Sequence, residues 1–216
     1  MVTSADFVRA HTRLAPVPLL PELMLHQAED PIALWERTEV GGAEQPPPFW
    51  AFAWAGGQAL ARHVLDEPDL VAGRAVLDLA AGSGVTAVAA AKAGGRPVTA
   101  NDIDPLSLAA ALVNAEANRV RVEAVEGDLL SGGYEPSGVV LAGDVFYSRE
   151  MAGRVLPFLR AAAGRGVLVL VGDPGRAYLP AEGLVRRAEY DVPVHEGLEG
   201  VPMRRTTVWQ VLGSAR

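Results

Sequence analysis

Between residues 77 and 104 the chain reads LDLAAGSGVTAVAAAKAGGRPVTANDID, a glycine loop set between an apolar run and a helical run. Gly82, Gly84 and Ala87 satisfy G-x-G-x-x-A, which gives a tight turn, close approach of backbone to a ligand, and close packing of helix on strand. The loop lacks the Gly-Lys-Ser/Thr ending of a triphosphate cradle, which leaves a dinucleotide or a nucleoside without phosphate. Carboxylates stand around it: Asp78 before the loop, Asp102 and Asp104 after it, then Asp128 in VEGDLL and Asp144 in VVLAGDVFYS.

Asp78 decides between the two ligands. The pyrophosphate of a dinucleotide lies over this loop, and an acid four residues before Gly82 adds repulsion in a partly buried place. A ligand with an ammonium and a sulfonium and no phosphate reverses that sign, so the expected cofactor is S-adenosyl-L-methionine. Asp102, at the end of the next strand, is placed to accept ribose hydroxyls, and Asp128, at the end of the third, to accept the adenine amino group. Ala80 in the loop and Ile103 beside Asp102 are counted with them. A single Asp at a strand end is more often a turn former or a cap, and Asp104 before Pro105 is read as a helix cap. Three acids in register with a glycine loop line one crevice.

Methyl transfer requires a nucleophile held in line with the methyl carbon and kept unprotonated. A lysine amine suits this where a carboxylate and a phenol accept its N–H bonds and aromatic walls desolvate it. Asp144 and Tyr147 are the candidates; the competing reading makes Asp144 a cap and Tyr147 half-buried packing. Phe146 lies between them, and PPPFWAFAWAGGQALAR sets Trp50 and Trp54 one helical turn apart before Gly56. These aromatics either roof the site or fill core; Trp54 and Gly56 are assigned to the cofactor, Trp50 and Phe146 to the substrate. Asp173 and Arg176 in GDPGR form a turn with a substrate contact or only a turn. The four histidines show no ligand spacing, so no metal is assigned. The Asn/Asp-Pro-Pro-Tyr segment used on planar amide and adenine nitrogens is absent.

The elements that must position these residues are regular from about residue 57. Strands and helices alternate through AVLDLA, VTAVAAAKAG, PVTAN, LSLAAALVNAEAN, VRVEAVEG, GVVLAGD, a helix near 149–162 and GVLVLVGD. This alternation predicts a parallel sheet covered on both faces. AEYDVPVH and RTTVWQVLG have no helix between them and pair antiparallel. The expected fold is α/β: a doubly wound, Rossmann-like, seven-stranded sheet with an antiparallel C-terminal hairpin. Residues 1–48 are expected to be a helical extension packed on it, with Ser4 capping ADFVRAHTRL and a second helical pattern in DPIALWERTEV; 49–216 form the cofactor-binding domain.

With 216 residues, half of them hydrophobic, one domain is the default. A net charge of −7 leaves no general basic surface for a nucleic-acid backbone, and no stretch approaches a membrane span. Zero cysteines fit a reducing compartment. The start lacks a secretory core or an organellar presequence, so a monomer in bacterial cytoplasm is expected, with a mitochondrial matrix location only if a presequence is missing.

RAHTRLAPVPLLPEL, PFWAFAWAGGQALAR, VLDLAAGSG, NDIDP, GDVFY, GDPGR and TTVW together span nearly the whole chain. In them the sequence resembles the seven-β-strand protein lysine methyltransferases, and among these the electron-transfer flavoprotein β-subunit lysine methyltransferases and their bacterial relatives. NDIDP and the glycine loop are specific only to the class; PFWAFAWAGGQALAR with GDVFY and GDPGR is more restrictive. The resemblance implies methyl transfer to lysines of the flavoprotein β subunit, with Asp78, Gly82 and Asp102 at the cofactor and Asp144 and Tyr147 at the amine. Two alternatives stay open on the same fold: a small-molecule (nicotinamide-type) N-methyltransferase and a ribosomal-protein L11-type methyltransferase.

Overall fold

A computed structural model describes residues 3–30, 33–35 and 47–213. Its centre is a sheet of seven strands: β3 (Val76–Leu79), β4 (Val98–Asp102), β5 (Glu123–Glu126), β6 (Val139–Gly143), β7 (Leu168–Asp173), β8 (Leu184–Pro193) and β9 (Met203–Val211). Their spatial order is β5-β4-β3-β6-β7-β9-β8. The first five are parallel, and β9 enters antiparallel between β7 and β8. The order reverses between β3 and β6, and the carboxyl ends of these central strands carry the crevice expected of such sheets.

Burial on both faces explains the central strands: all four residues of VLDL in β3 are buried. On one face pack α2 (Ala55–Asp66), α3 (Val85–Lys92) and α4 (Pro105–Ala117); on the other lies α5 (Arg149–Gly164), with Val155 and Leu159 against Leu77, Val140 and Val169. Asp104 caps α4, its Oδ1 accepting from Leu106 N at 2.8 Å. α2 meets the sheet through glycines: a Cβ on Gly56 would fall 2.1 Å from the Gly172 carbonyl oxygen, so only backbone brings the helix start onto β7.

The N-terminal segment differs from the helical expectation. α1 (Ser4–His11) is capped by Thr3 rather than Ser4, through a capping box in which the Thr3 side chain takes Asp6 N and the Asp6 side chain takes Thr3 N. After it, β1 (Arg13–Val17) and β2 (Leu20–Gln27) form an antiparallel hairpin. Leu20, Leu23 and Leu25 of β2 enter the main core. The DPIALWERTEV pattern falls largely outside the described residues. A short α6 (Glu196–Glu199) interrupts the link between β8 and β9. Among the described residues no helix is long and apolar enough to cross a membrane.

Candidate active site

The carboxyl ends of β3, β4 and β6 border a cleft of about 340 Å3, within the range of small-molecule sites. The glycine loop forms its floor. Ala80, Gly82 and Gly84 all take positive φ, of 55°, 51° and 72°. In Gly84 this left-handed residue is also the N-cap of α3, and a Cβ there would lie 2.6 Å from the Ala111 Cβ of α4. Gly84 therefore seats the loop on α4 and does not line the cleft, unlike Ala80 and Gly82.

Asp78 is buried and lines the cleft, its Oδ2 accepting from Ala87 N in the first turn of α3 at 2.9 Å. Burial pushes its carboxyl well above the ordinary carboxylate range; the Ala87 bond opposes this and the nearby Asp102 charge adds to it. Among the described residues no Lys or Arg pairs with it. A buried carboxylate in this condition fits a cationic ligand. Asp102 also lines the cleft; it accepts from Gly82 N and Asp104 N, both at 3.0 Å, and so sets the loop. Burial raises its carboxyl too. Asp128 lines the adjoining wall, with Oδ1 on Leu130 N and Oδ2 against Arg154. Each oxygen already holds a protein donor, so an adenine amino group would have to use a second lone pair. Ile103, 71% exposed, covers the outer edge.

Asp144 stands at the end of β6 with φ of 55°, a left-handed turn that only a few non-glycine residues adopt. That turn sends Val145 and Phe146 into the core below the sheet and brings Tyr147 out to the mouth of the cleft, 54% exposed. Phe146 is wholly buried and lines no part of the cleft, which removes it from the substrate residues. Trp50 is corrected in the same way: it is 1% exposed and packs with Val8, Leu34 and Val113. The helical spacing that paired it with Trp54 fails because Phe49–Ala51 is one 3-10 turn and Phe52 is extended, so the two indoles do not share a face.

Two aromatics of this segment do reach the cleft: Trp54, as assigned, and Phe49, which no pattern in the sequence had singled out. Its ring lies between Trp54, at 5.9 Å, and Tyr147, at 5.8 Å, and its carbonyl accepts from Trp54 Nε1 at 2.9 Å. Its place as the first aromatic after a proline run was the available signal. The Tyr147 phenol is raised by burial and by Asp102 and Glu150, so it stays protonated.

The Asp144 carboxylate is held by four N–H groups. Oδ2 accepts from Gly56 N and, at 3.3 Å, from Gly57 N at the start of α2. Oδ1 accepts from Arg176 Nη2 at 2.8 Å and Nε at 3.2 Å. Gly56 is thereby a structural contact of Asp144 and lines no part of the cleft, while Gly57 does. Burial drives the Asp144 carboxyl up to about 6, against the pull of Arg176 and with a push from Asp173. Arg176 also forks onto buried Glu199 of α6, at 2.6 and 3.1 Å. Asp173 is buried beneath this network and lines no part of the cleft; its Oδ1 takes Gly175 N and Arg176 N at 2.7 Å, so it is the turn former of the two readings. Among the described residues no group of His, Asp or Glu could hold a metal ion.

Comparisons with known proteins place the chain among methyltransferases. The ribosomal protein L11 methyltransferase (PrmA) family model matches residues 59–143, from α2 through β6. The electron transfer flavoprotein beta subunit lysine methyltransferase of Xenopus laevis is 35% identical over 211 residues, covering 94% of this chain and 85% of that protein. Its counterpart in Homo sapiens is 34% identical over 181 residues, covering 81% of this chain and 68% of that protein. An RNA methyltransferase from Salinibacter ruber, solved in complex with S-adenosyl-L-homocysteine, shares the fold with a TM-score of 0.51 at 20% identity, over 73% of this chain and 94% of that one.

Proposed function

The chain belongs to the electron transfer flavoprotein beta subunit lysine methyltransferases, and from that membership we propose that it methylates lysine side chains on the β subunit of an electron-transfer flavoprotein. It is an S-adenosylmethionine-dependent methyltransferase of the seven-stranded class. The observation that carries the substrate reading is likeness over 94% of the chain to a protein named for that substrate. The match to the L11 methyltransferase model ends at residue 143, at the end of β6 and before Tyr147 and Arg176, and so speaks for the cofactor half.

When bound, S-adenosylmethionine supplies an electrophilic methyl group on a sulfonium. Asp78 would face its cationic part, the glycine loop its backbone-contacting part, and Asp102 its ribose hydroxyls. The protein's task on the other side is to present a neutral amine. A rim of exposed Phe49 and Tyr147 with half-buried Trp54 supports entry of one long side chain from a protein surface, since the apolar stem of a lysine packs on rings while its nitrogen goes inward. The protonated Tyr147 phenol offers an oxygen lone pair to an amine N–H. Asp144 supports the amine through its negative charge and by holding α2 and Arg176; the 3.3 Å bond from Gly57 is the weakest of its four and the one a substrate N–H would replace. Desolvation at the rim disfavours the ammonium form and so favours the nucleophilic one.

The reading is tested by offering the enzyme methyl-labelled S-adenosylmethionine with three acceptors in parallel: an unmethylated electron-transfer flavoprotein, ribosomal protein L11, and nicotinamide. Label on the flavoprotein β subunit alone is the expected result. Label on either other acceptor at equal or greater rate would overturn it.

A further inference from the structure

Asn114 lies in the last turn of α4, fully buried, and is not part of the cleft. Its side-chain amide nevertheless joins two distant backbone segments. Oδ1 accepts from His26 N in β2 at 2.7 Å, and Nδ2 donates to the Ser83 carbonyl, inside the glycine loop, at 2.9 Å. The orientation of this amide has one solution. Flipped, it would set a donor against the His26 N–H and an acceptor against the Ser83 carbonyl, leaving two backbone groups without partners.

About one turn earlier on α4, Ala111 occupies the space that a Cβ on Gly84 would need. The loop is thus seated on α4 twice, by packing at Gly84 and by a hydrogen bond at Ser83. Its opposite side is fixed by Asp102 on Gly82 N. The hairpin that fixes Asn114 is itself anchored by side-chain amides. Asn118, one turn on, takes Met24 N at 3.0 Å and gives to Met24 O at 2.6 Å, and Gln58 takes Leu19 N at 3.2 Å. We infer that Asn114 is a positioning residue for the cofactor loop, and that the β1–β2 hairpin is mechanically part of the cofactor site although none of its residues lines the cleft. This rests on the reading of the cleft as the S-adenosylmethionine site.

Coupling of this kind is reciprocal: a ligand that settles the loop must also settle what holds the loop. Hydrogen exchange on the full wild-type chain, with and without S-adenosylhomocysteine, reads it directly. Binding is expected to slow exchange of the His26 amide by several-fold, far from the ligand. Isothermal titration of Asn114→Leu and Asn118→Leu supplies the second reading, because Asn118→Leu loosens the hairpin alone whereas Asn114→Leu also loses the bond to Ser83. Asn114→Leu is expected to weaken S-adenosylhomocysteine about tenfold and Asn118→Leu by a smaller factor of about two- to threefold. Wild-type binding in the same titration establishes the cofactor reading independently of the brace. Exchange at His26 unchanged by the ligand, or Asn114→Leu binding as tightly as the wild type, would overturn the inference; should Asn114→Leu fail to fold, the wild-type exchange result decides alone.

Discussion

Arg176 places Nη2 2.8 Å and Nε 3.2 Å from the same oxygen of Asp144, leaving the other oxygen to the first backbone N–H groups of α2. One carboxylate thus joins the β7 turn, the end of β6 and the start of the helix that carries Trp54 as its N-cap. An amide at this position offers one acceptor where the carboxylate offers two, and its NH2 must face either the guanidinium or the helix start. Asp144→Asn should therefore cut turnover on a protein substrate by about a hundredfold and leave S-adenosylhomocysteine affinity within about threefold. Single-turnover assays and calorimetry on the same preparation separate the two quantities. Unchanged turnover would remove Asp144 from the catalytic account.

Proton release should accompany cofactor binding. Asp78 and Asp102 are both raised by burial, so at mildly acid pH the folded protein without ligand holds protons there that free carboxylates would have lost. A cation beside Asp78 favours its charged form, which lowers that raised value and expels the proton. Affinity then climbs as pH rises from the ordinary carboxylate range through the raised values, and falls away below it. Calorimetry of S-adenosylmethionine in buffers of different ionisation enthalpy measures the proton count. Zero release, or uptake, would contradict the placement of the cationic part at Asp78.

Phe49 and Trp50 are neighbours in sequence with opposite duties. Trp50→Ala should destabilise the fold by about 3–5 kcal/mol, because the indole is buried between α1 and α4. Phe49→Ala should cost far less stability and lower kcat/KM for a protein substrate by roughly three- to tenfold, through loss of ring contacts at the rim. Urea unfolding beside steady-state kinetics distinguishes them; the reverse pattern would show that the rim has been misplaced.

Gly84→Ala should be among the more damaging single-methyl additions. It adds strain at φ of 72° and drives a Cβ into Ala111 on α4. A loss of at least about 1–3 kcal/mol is expected, with weakened cofactor binding because the loop must rise off the helix. Gly73→Ala is the natural comparison, since φ there is 69° but nothing lies within 4 Å of the added carbon. Equal losses in the two variants would mean that the backbone term alone acts at Gly84.

The parts legible in the sequence were those where one local pattern has one structural solution. Alternation of strand and helix, the glycine loop and acids at the ends of strands led to the sheet, its antiparallel end and the cleft with Asp78, Asp102, Asp128 and Tyr147 on its walls. Three features were not legible. The run RLAPVPLLPELML reads equally as helix or strand because its apolar stretches are short, and the hairpin is selected by burial of Leu20, Leu23 and Leu25 against the core. Trp50 and Phe146 were drawn into the site by proximity to Trp54 and Asp144, whereas a 3-10 turn and a left-handed residue rotate them into the core. The multiple bonds on Asp144 depend on Arg176 and the start of α2, segments far apart in sequence that only the fold brings together.

The proposed reaction is methyl transfer to the flavoprotein β subunit. Intact mass of an unmethylated electron-transfer flavoprotein, recorded after incubation with this enzyme and S-adenosylmethionine and with Asp144→Asn as the parallel control, tests it most directly. Methyl-sized steps on the β subunit, absent from the other subunit and sharply reduced in the control, are predicted. No step on the β subunit, with S-adenosylhomocysteine binding intact, would contradict the substrate while leaving the fold and cofactor in place.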